Sequence, residues 1–169
     1  MQKDNLTNLS YYPGCSLATT AAENNSSLIY LFRHLGFNLV ELNDWNCCGS
    51  SSAHSIDSNL AFDLAGRNLS LAPPDLPLLV ACPSCLLRLR QAHLHLKNDE
   101  TARNRFETTW GQPFNPKLEI LHFFEFLDQI DLLSFSKNHT LRLEGLKFVP
   151  YYGCMLARPP ILRHEKNYF

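Results

Sequence analysis

Short apolar runs alternate along the chain with longer stretches whose apolar residues recur at helical spacing. Runs of strand length lie at 9–12, 38–42, 78–81, 118–121 and 146–152. Helical spacing covers 25–35, 50–71, 83–97 and 123–133. This alternation favours an α/β fold: a layered domain with a small, largely parallel sheet flanked by helices.

Glycine and proline residues mark the ends of these elements. Pro13-Gly14 forms a turn after the first run, and Gly36 is a helix stop. Pro73-Pro74 ends the second helix, whereas Pro83 stands in the first turn of the third. The polar segment 98–116 contains two prolines and is expected to be a loop or to hold a short helix.

Composition narrows the function classes. The 169 residues are 45% hydrophobic and 18% charged, which is typical of a globular protein and excludes disorder and coiled coil. A formal net charge of −1 gives no electrostatic support for binding nucleic acid. No run approaches the roughly 20 residues of a transmembrane segment, and the amino terminus lacks the pattern of a secretory signal. We therefore expect a cytoplasmic protein with reduced thiols.

Cysteine residues follow three of the predicted strands. Cys15 comes after the first strand, Cys47-Cys48-Gly49 after the second and Cys82-Pro83-Ser84-Cys85 after the third. Because the carboxyl ends of parallel strands meet at one edge of a sheet, five thiols can converge there on one centre.

The loops that carry these thiols suit a negatively charged iron–sulfur centre. Glycine at positions 14 and 49 permits close approach of the backbone, and helix amino termini after Cys48 and Cys82 stabilise thiolates. A zinc site formed by Cys47, Cys48, Cys82 and Cys85 remains an alternative. Disulfides, which a reducing compartment disfavours, and inert buried cysteines are two further alternatives.

At these residues the sequence resembles a known family. Tyr12-Pro13-Gly14-Cys15, Cys47-Cys48-Gly49 and Ala81-Cys82-Pro83-Ser84-Cys85 resemble the cysteine-rich CCG domain, typified by the B-type subunit of heterodisulfide reductases. Related domains occur in iron–sulfur subunits of glycolate, lactate and glycerol-3-phosphate oxidising enzymes. His122 and Glu125 also resemble the segment that follows the motif in this family.

The first motif is echoed near the end of the chain. Tyr11-Tyr12-Pro13-Gly14-Cys15 returns as Tyr151-Tyr152-Gly153-Cys154, and the latter resembles the start of the second domain in the B-type subunit of the family. The resemblance therefore implies a CCG iron–sulfur domain over 1–145 and the opening strand and loop of an incomplete second one over 146–169.

The resemblance also implies a cofactor and partners. The cofactor is one non-cubane [4Fe-4S] cluster, whose ligands are Cys15, Cys47, Cys48, Cys82 and Cys85. The implied partners resemble two other proteins of heterodisulfide reductases, the iron–sulfur C-type subunit together with the flavin A-type subunit. Since family enzymes cleave a disulfide between two clusters, a second CCG domain is needed, either in trans or in a homodimer. Cys154 has no double cysteine or C-x-x-C after it in this sequence.

Three functions follow from this resemblance. The first is a redox subunit of heterodisulfide reductase type, which passes electrons to a disulfide. The second is an iron–sulfur electron-transfer subunit of a dehydrogenase complex without a substrate site of its own. The third is a truncated, inactive fragment. His54 and His122 are candidate catalytic residues for proton transfer, with a capping or structural role as the alternative for each.

Overall fold

A four-stranded sheet with all strands parallel organises the chain. The structure is a computed structural model, and it describes residues 6–50, 52–132, 134, 145–150, 153 and 155. The elements are β1 (Thr7–Tyr12), α1 (Gly14–Ala18), α2 (Ala22–His34), β2 (Phe37–Glu41), α3 (Ala53–Ile56), α4 (Ser58–Ser70), β3 (Leu78–Val80), α5 (Pro83–Asn98), α6 (Glu100–Trp110), β4 (Ile120–His122) and α7 (Phe123–Leu127). The strand order is β2-β1-β3-β4. The predicted α/β class is confirmed.

The register of the sheet brings apolar residues together on both of its faces. On one face Leu79 pairs with both Tyr11 and Leu121, and on the other Leu78 pairs with Ile120. β3 and β4 are buried at every position, which is the pattern of parallel strands covered by helices on both sides. One face packs against α4, α5 and α6, and the other against α2 and α7.

The helix predicted over 50–71 is two helices. Asp57 has an extended backbone conformation between α3 and α4, and its carboxylate accepts hydrogen bonds from the amides of Asn59 and Leu60. Asp57 is therefore the N-cap of α4, a role in which Asp is strongly preferred. The chain turns here because capping groups compete with continued helical bonding.

Two other elements differ in extent from the prediction. Part of the polar segment 98–116 forms the helix α6, which Asp99 caps by accepting from the amide of Ala102. The helix predicted over 123–133 is shorter, since α7 ends at Leu127.

The strand predicted over 146–152 is absent from residues 146–150. Phe148 and Val149 are 80% and 92% exposed there. A β-strand needs a neighbour for its backbone groups, and no described strand lies beside this segment. Tyr151 and Tyr152 lie outside the described residues, so the division of the chain at residue 145 remains a prediction.

An ion pair with both side chains largely buried ties the end of the sheet to α5. Arg90 contacts Glu125 at 2.7 Å and donates to the carbonyl of Ile120, while Glu125 accepts from the amide of His122. These bonds connect α5, β4 and α7.

No helix within the described ranges has the length and hydropathy needed to cross a bilayer.

Candidate metal centre

The loops that carry the cysteines lie at the carboxyl edge of the sheet. Cys15 lies in α1, directly after β1, and the Cys47-Cys48 pair lies in the loop between β2 and α3. Cys82 is the N-cap of α5 and Cys85 lies in its first turn, directly after β3. The chain passes from β1 to β2 on one side and then to β3 on the other, so β1 and β3 flank a topological switch point. Parallel α/β sheets bind ligands at such points.

The predicted convergence of the five thiols is found in the structure. The Sγ atoms of Cys48 and Cys85 are 3.3 Å apart, and those of Cys47 and Cys15 are 3.7 Å apart. Cys82 shares a hydrogen bond with Cys85 and thereby joins the group. All five are free thiols, with Cys48 and Cys85 buried, Cys82 half-buried, and Cys15 and Cys47 exposed. The group therefore has a buried end and an end that faces solvent.

Two glycines allow this close packing. Gly14 has φ +76°, and a Cβ added to it would lie 2.8 Å from Cys85 Sγ. Gly49 has φ +74°, and its Cβ would lie 2.8 Å from Ala53 Cβ. Both positions combine a left-handed backbone, which only glycine adopts without cost, with a lack of room for a side chain.

Backbone amides and a neighbouring thiol stabilise negative charge on two of the sulfurs. The pKa of Cys82 is lowered to about 5, chiefly by a hydrogen bond from Cys85, with further bonds from the amides of Cys85 and Ser84. The pKa of Cys48 is lowered to about 7, again chiefly by Cys85, with help from the amide of Ser50. Thiolate is the form of cysteine that binds metals.

Two other thiols, those of Cys47 and Cys85, have raised pKa values. The pKa of Cys85 is raised by its hydrogen bonds with Cys48 and Cys82 and by its burial. Burial raises the pKa of Cys47, against a hydrogen bond from the amide of Gly49 that lowers it. Accumulated negative charge at the sulfurs also adds to the burial that raises the pKa of Tyr12.

The donor chemistry of the five thiols fits an iron–sulfur cluster, and the four thiols of the zinc alternative lie in the same group. Within the described part of the chain, no three Cys, His, Asp or Glu side chains surround one point at ligand distance. The sulfurs of Cys15 and Cys47 form one pair and Cys85 contacts both Cys48 and Cys82, with amide donors of the kind that tune iron–sulfur clusters. Five thiols at one edge therefore fit an iron–sulfur cluster in donor chemistry, number and hydrogen bonding.

The two candidate catalytic histidines differ in what can be described of them. His54 lies in α3, but its side chain lies outside the described part of the structure. His122 is 1% exposed, its Nε2 lies 2.9 Å from the carbonyl oxygen of Ala81, and its Nδ1 accepts from the amide of Phe124. Both ring nitrogens of His122 are thus engaged by backbone, which fits capping of α7. Proton transfer by either histidine stays a prediction.

One residue near the thiols was not identified from the sequence. Asn68 in α4 is fully buried, and its side chain bonds to the backbone of Asn46, next to Cys47. The sequence does contain a sign of this role. Asn68 lies three positions after Ala65 and four after Leu64, which puts a polar residue on the apolar face of the predicted helix. An amide at a core position needs hydrogen-bond partners, and this requirement points to a loop packed against the helix.

The segment that echoes the first motif contacts this edge at one described residue. Met155, which follows Cys154 in the sequence, lies with its Sδ 2.9 Å from the Ser84 hydroxyl. Ser84 belongs to the Cys82–Cys85 loop and also bonds to Cys82. Met155 therefore lies beside the Cys82–Cys85 loop. Cys154 itself lies outside the described residues.

Comparison with known proteins supports the motif analysis. The CCG family model, described as a cysteine-rich domain, matches residues 9–90. The chain is 30% identical over 161 residues to the 8-methylmenaquinol:fumarate reductase membrane anchor subunit of Wolinella succinogenes, which covers 94% of this chain and 55% of that protein. It is 26% identical over 160 residues to a heterodisulfide reductase B-subunit-like protein of Archaeoglobus profundus, which covers 91% of this chain and 54% of that protein.

These matches confirm the resemblance to heterodisulfide reductase B-like proteins of the CCG family. The chain spans about half the length of the curated relatives it matches. Both relatives are named for subunits of reductases, and one name is that of a membrane anchor.

Proposed function

We propose that this chain, whose residues 9–90 form a CCG cysteine-rich domain, is an iron–sulfur redox subunit that passes electrons to a disulfide substrate. Its cofactor is one non-cubane [4Fe-4S] cluster. The ligands are Cys15, Cys47, Cys48, Cys82 and Cys85. The proposal rests on one observation above all, namely the convergence of these five thiols at the switch point of the sheet.

The proposed ligands differ in burial, so one end of the cofactor is enclosed by the protein and the other end faces solvent. Cys48 and Cys85 hold it from the buried end, where the amides of Ser50 and Ser84 support nearby thiolate charge. Cys15 and Cys47 hold it at the exposed end, which is the side that substrate reaches. When bound, the cluster supplies electrons at a potential tuned by these contacts. Reduction of a disulfide consumes two electrons and two protons and releases two thiols.

A second CCG domain completes the disulfide site in this proposal, supplied by further sequence, a second copy of the chain or a partner. The contact between Met155 and Ser84 supports an approach beside the Cys82–Cys85 loop. Phe124, in the helix that directly follows β4, is 60% exposed and offers apolar surface at the carboxyl edge, and Ile56 at the end of α3 is 76% exposed. Partners that resemble the iron–sulfur C-type and flavin A-type subunits of heterodisulfide reductases deliver the electrons.

The relative in Wolinella succinogenes favours a second candidate function. Its name places it in a quinol:fumarate reductase, and it is 30% identical to this chain. The same cluster would then relay electrons within a complex and bind no substrate of its own. The two candidates differ in whether a small disulfide or thiol reaches the cofactor.

Cysteine substitution tests the ligand set. Cys85→Ser removes a thiol that contacts both Cys48 and Cys82, so we expect loss of iron and acid-labile sulfide from anaerobically purified protein. The matched control is Cys154→Ser, which changes the one cysteine outside the proposed set and should retain both. Equal iron and sulfide in both variants would refute the set.

Spectroscopy separates the two candidate functions. Electron paramagnetic resonance of the oxidised protein is recorded before and after addition of a small thiol. A signal altered by the thiol supports action on disulfides, because the thiol then binds at the cofactor. An unchanged signal in protein that contains the cluster supports the electron-relay function.

A further inference from the structure

We propose that Asn68 is a positioning residue that fixes the double-cysteine loop, defined here as residues 42–49. The inference rests on the proposed function, because it concerns how the chain presents Cys47 and Cys48 to the cofactor. It assigns a role to a residue outside the cysteine motifs, in α4, which lies between Cys48 and Cys82 in the sequence.

Asn46 immediately precedes the two cysteines, and its backbone amide, its backbone carbonyl and both polar atoms of its side chain form hydrogen bonds. Its amide donates to Asn68 Oδ1 at 2.9 Å, and its carbonyl oxygen accepts from Asn68 Nδ2 at 2.9 Å and from the Tyr12 hydroxyl at 2.9 Å. Its side chain accepts from Arg67 and donates to the carbonyls of Cys47 and Leu64. Asn68 thus contacts the backbone of residue 46 through a donor and an acceptor at once, as a neighbouring β-strand would.

The burial of Asn68 makes this contact costly to lose. The residue is 0% exposed, and its Nδ2 has one other partner, the Leu64 carbonyl of its own helix, at 3.2 Å. A buried amide must find partners within the protein, since no water can replace them. The native loop conformation supplies two of these partners, both on Asn46, so the loop and the helix fix each other.

The two cysteines that follow Asn46 face different partners. Cys47 lies 3.7 Å from Cys15 at the exposed end, whereas Cys48 lies 3.3 Å from Cys85 at the buried end. A rotation of the peptide that joins residues 46 and 47 would redirect both side chains. Fixing the amide and the carbonyl of Asn46 therefore determines which cysteine enters which pair.

A second anchor holds the outer part of the loop. Arg67 donates to the carbonyl and the carboxylate of Asp44, whose φ of 55° is unusual for a residue with a side chain. Arg67 and Asp44 are more exposed than Asn68. We therefore expect Asn68, and not Arg67, to dominate the position of the cysteines.

The test compares Asn68→Asp with wild type in the full chain. Aspartate has nearly the same shape and retains an acceptor for the Asn46 amide, but it replaces the donor with an oxygen that faces the carbonyl oxygens of Asn46 and Leu64. The matched control is Asn115→Asp, because the Asn115 amide also donates to one backbone carbonyl and accepts from one backbone amide. Asn115 lies before β4, at the opposite edge of the sheet.

The first readout is the alkylation rate of Cys48 by iodoacetamide in the metal-free, folded chain, resolved by mass spectrometry. Losing a buried hydrogen bond opens the loop more often, so we expect alkylation about tenfold faster in Asn68→Asp than in wild type. Asn115→Asp should match wild type. Equal rates in Asn68→Asp and wild type, with far-ultraviolet circular dichroism showing both folded, would overturn the inference.

Hydrogen exchange in the wild-type chain provides a second, independent readout if Asn68→Asp does not fold. The Asn46 amide should exchange as slowly as amides of α4, because Asn68 accepts from it. Exchange at the rate of an open loop would overturn the inference. In reconstituted protein, the paramagnetic resonance signal of Asn68→Asp should differ from that of wild type, whereas that of Asn115→Asp should not.

The outcomes for the inference and for the proposed function are separate. Wild-type chain that takes up no iron and sulfide would refute the proposed function, yet the alkylation and exchange data on the metal-free chain would still decide the role of Asn68. Conversely, a wild-type cluster together with an unchanged Cys48 rate and signal in Asn68→Asp would refute only the positioning role.

Discussion

Gly14 lies where the turn after β1 passes close to the sulfur of Cys85. Its φ of +76° and the 2.8 Å between its would-be Cβ and Cys85 Sγ are separate constraints. The first is a property of the turn after β1, and the second is a property of the assembled thiols. A substitution at Gly14 therefore tests both the turn and the site.

We predict that Gly14→Ala retains less iron and sulfide per chain than wild type, because the added methyl group displaces the Cys85 thiol. Gly36→Ala is the matched control, since Gly36 has φ +87° with open space around it. Both variants should lose roughly 1–2 kcal/mol of unfolding free energy through the left-handed backbone. Metal analysis and urea denaturation provide the measurements, and equal cofactor content in the two variants would show that the close sulfur contact is unimportant.

The burial of His93 makes the unfolding free energy depend on pH. Burial chiefly, and Lys97 in addition, lower its pKa, while its Nε2 lies 3.0 Å from the Asn115 carbonyl oxygen. The unfolded chain therefore binds a proton at higher pH than the folded chain does. The contribution of His93 to stability is present above the unfolded pKa of about 6.5 and is lost as pH falls below it.

We predict that His93→Gln makes the unfolding free energy less sensitive to pH between about 6.5 and 5, because glutamine does not titrate in this range. His122, whose pKa burial also lowers, should supply part of the slope that remains. Urea denaturation across this range measures the slope. The same slope in the variant and in wild type would contradict the assignment to His93.

At the scale of elements, Asp57 marks a helix boundary that the hydrophobic pattern does not predict. Apolar residues at helical spacing run through positions 53–65, and this pattern alone predicts one helix. The carboxylate of Asp57 instead starts a new helix by accepting from two amides. The hydrogen bonds of the Asp57 carboxylate therefore determine where α4 begins, whereas the spacing of apolar residues does not.

We predict that Asp57→Ala lowers the unfolding free energy by about 1 kcal/mol, the usual effect of removing an N-cap. Asp57→Asn keeps an acceptor oxygen and should stay close to wild type. Chemical denaturation followed by circular dichroism measures the difference. Equal stability of the alanine and asparagine variants would mean that the cap contributes nothing.

The strands and the five thiols were predictable because each rests on a strong local pattern. β1, β2, β3 and β4 are apolar runs between clear breaks, and a cysteine group follows three of them before the next long helix. The contact between Asn68 and Asn46 was not predictable, since it joins residues 22 positions apart through a single side chain. Which thiols pair depends likewise on how the loops pack, which local pattern does not encode.

At the scale of the whole molecule, exposed apolar surface accompanies the thiol edge. Phe124 directly follows β4, Ile56 ends α3, and Phe148 and Val149 are largely exposed in the segment before the Tyr-Tyr-Gly-Cys sequence at 151–154. Monomeric proteins rarely leave large apolar patches uncovered. A second CCG domain would cover surface of this kind.

We predict that the purified chain self-associates as its concentration rises, because these apolar side chains are exposed to solvent. Static light scattering over a wide concentration range measures the molar mass. Phe148→Asp, at an exposed position outside the proposed ligand set, should shift the equilibrium towards monomer. A monomer of about 19.3 kDa at every concentration would contradict the prediction.

The proposed function depends above all on an iron–sulfur cluster held by the five thiols, and analysis of iron, zinc and acid-labile sulfide in anaerobically purified protein measures this cluster. We predict iron and sulfide in equal amounts, about four of each per chain, without stoichiometric zinc. Zinc bound in the absence of sulfide, or protein with neither iron nor sulfide after anaerobic reconstitution, would contradict the proposal.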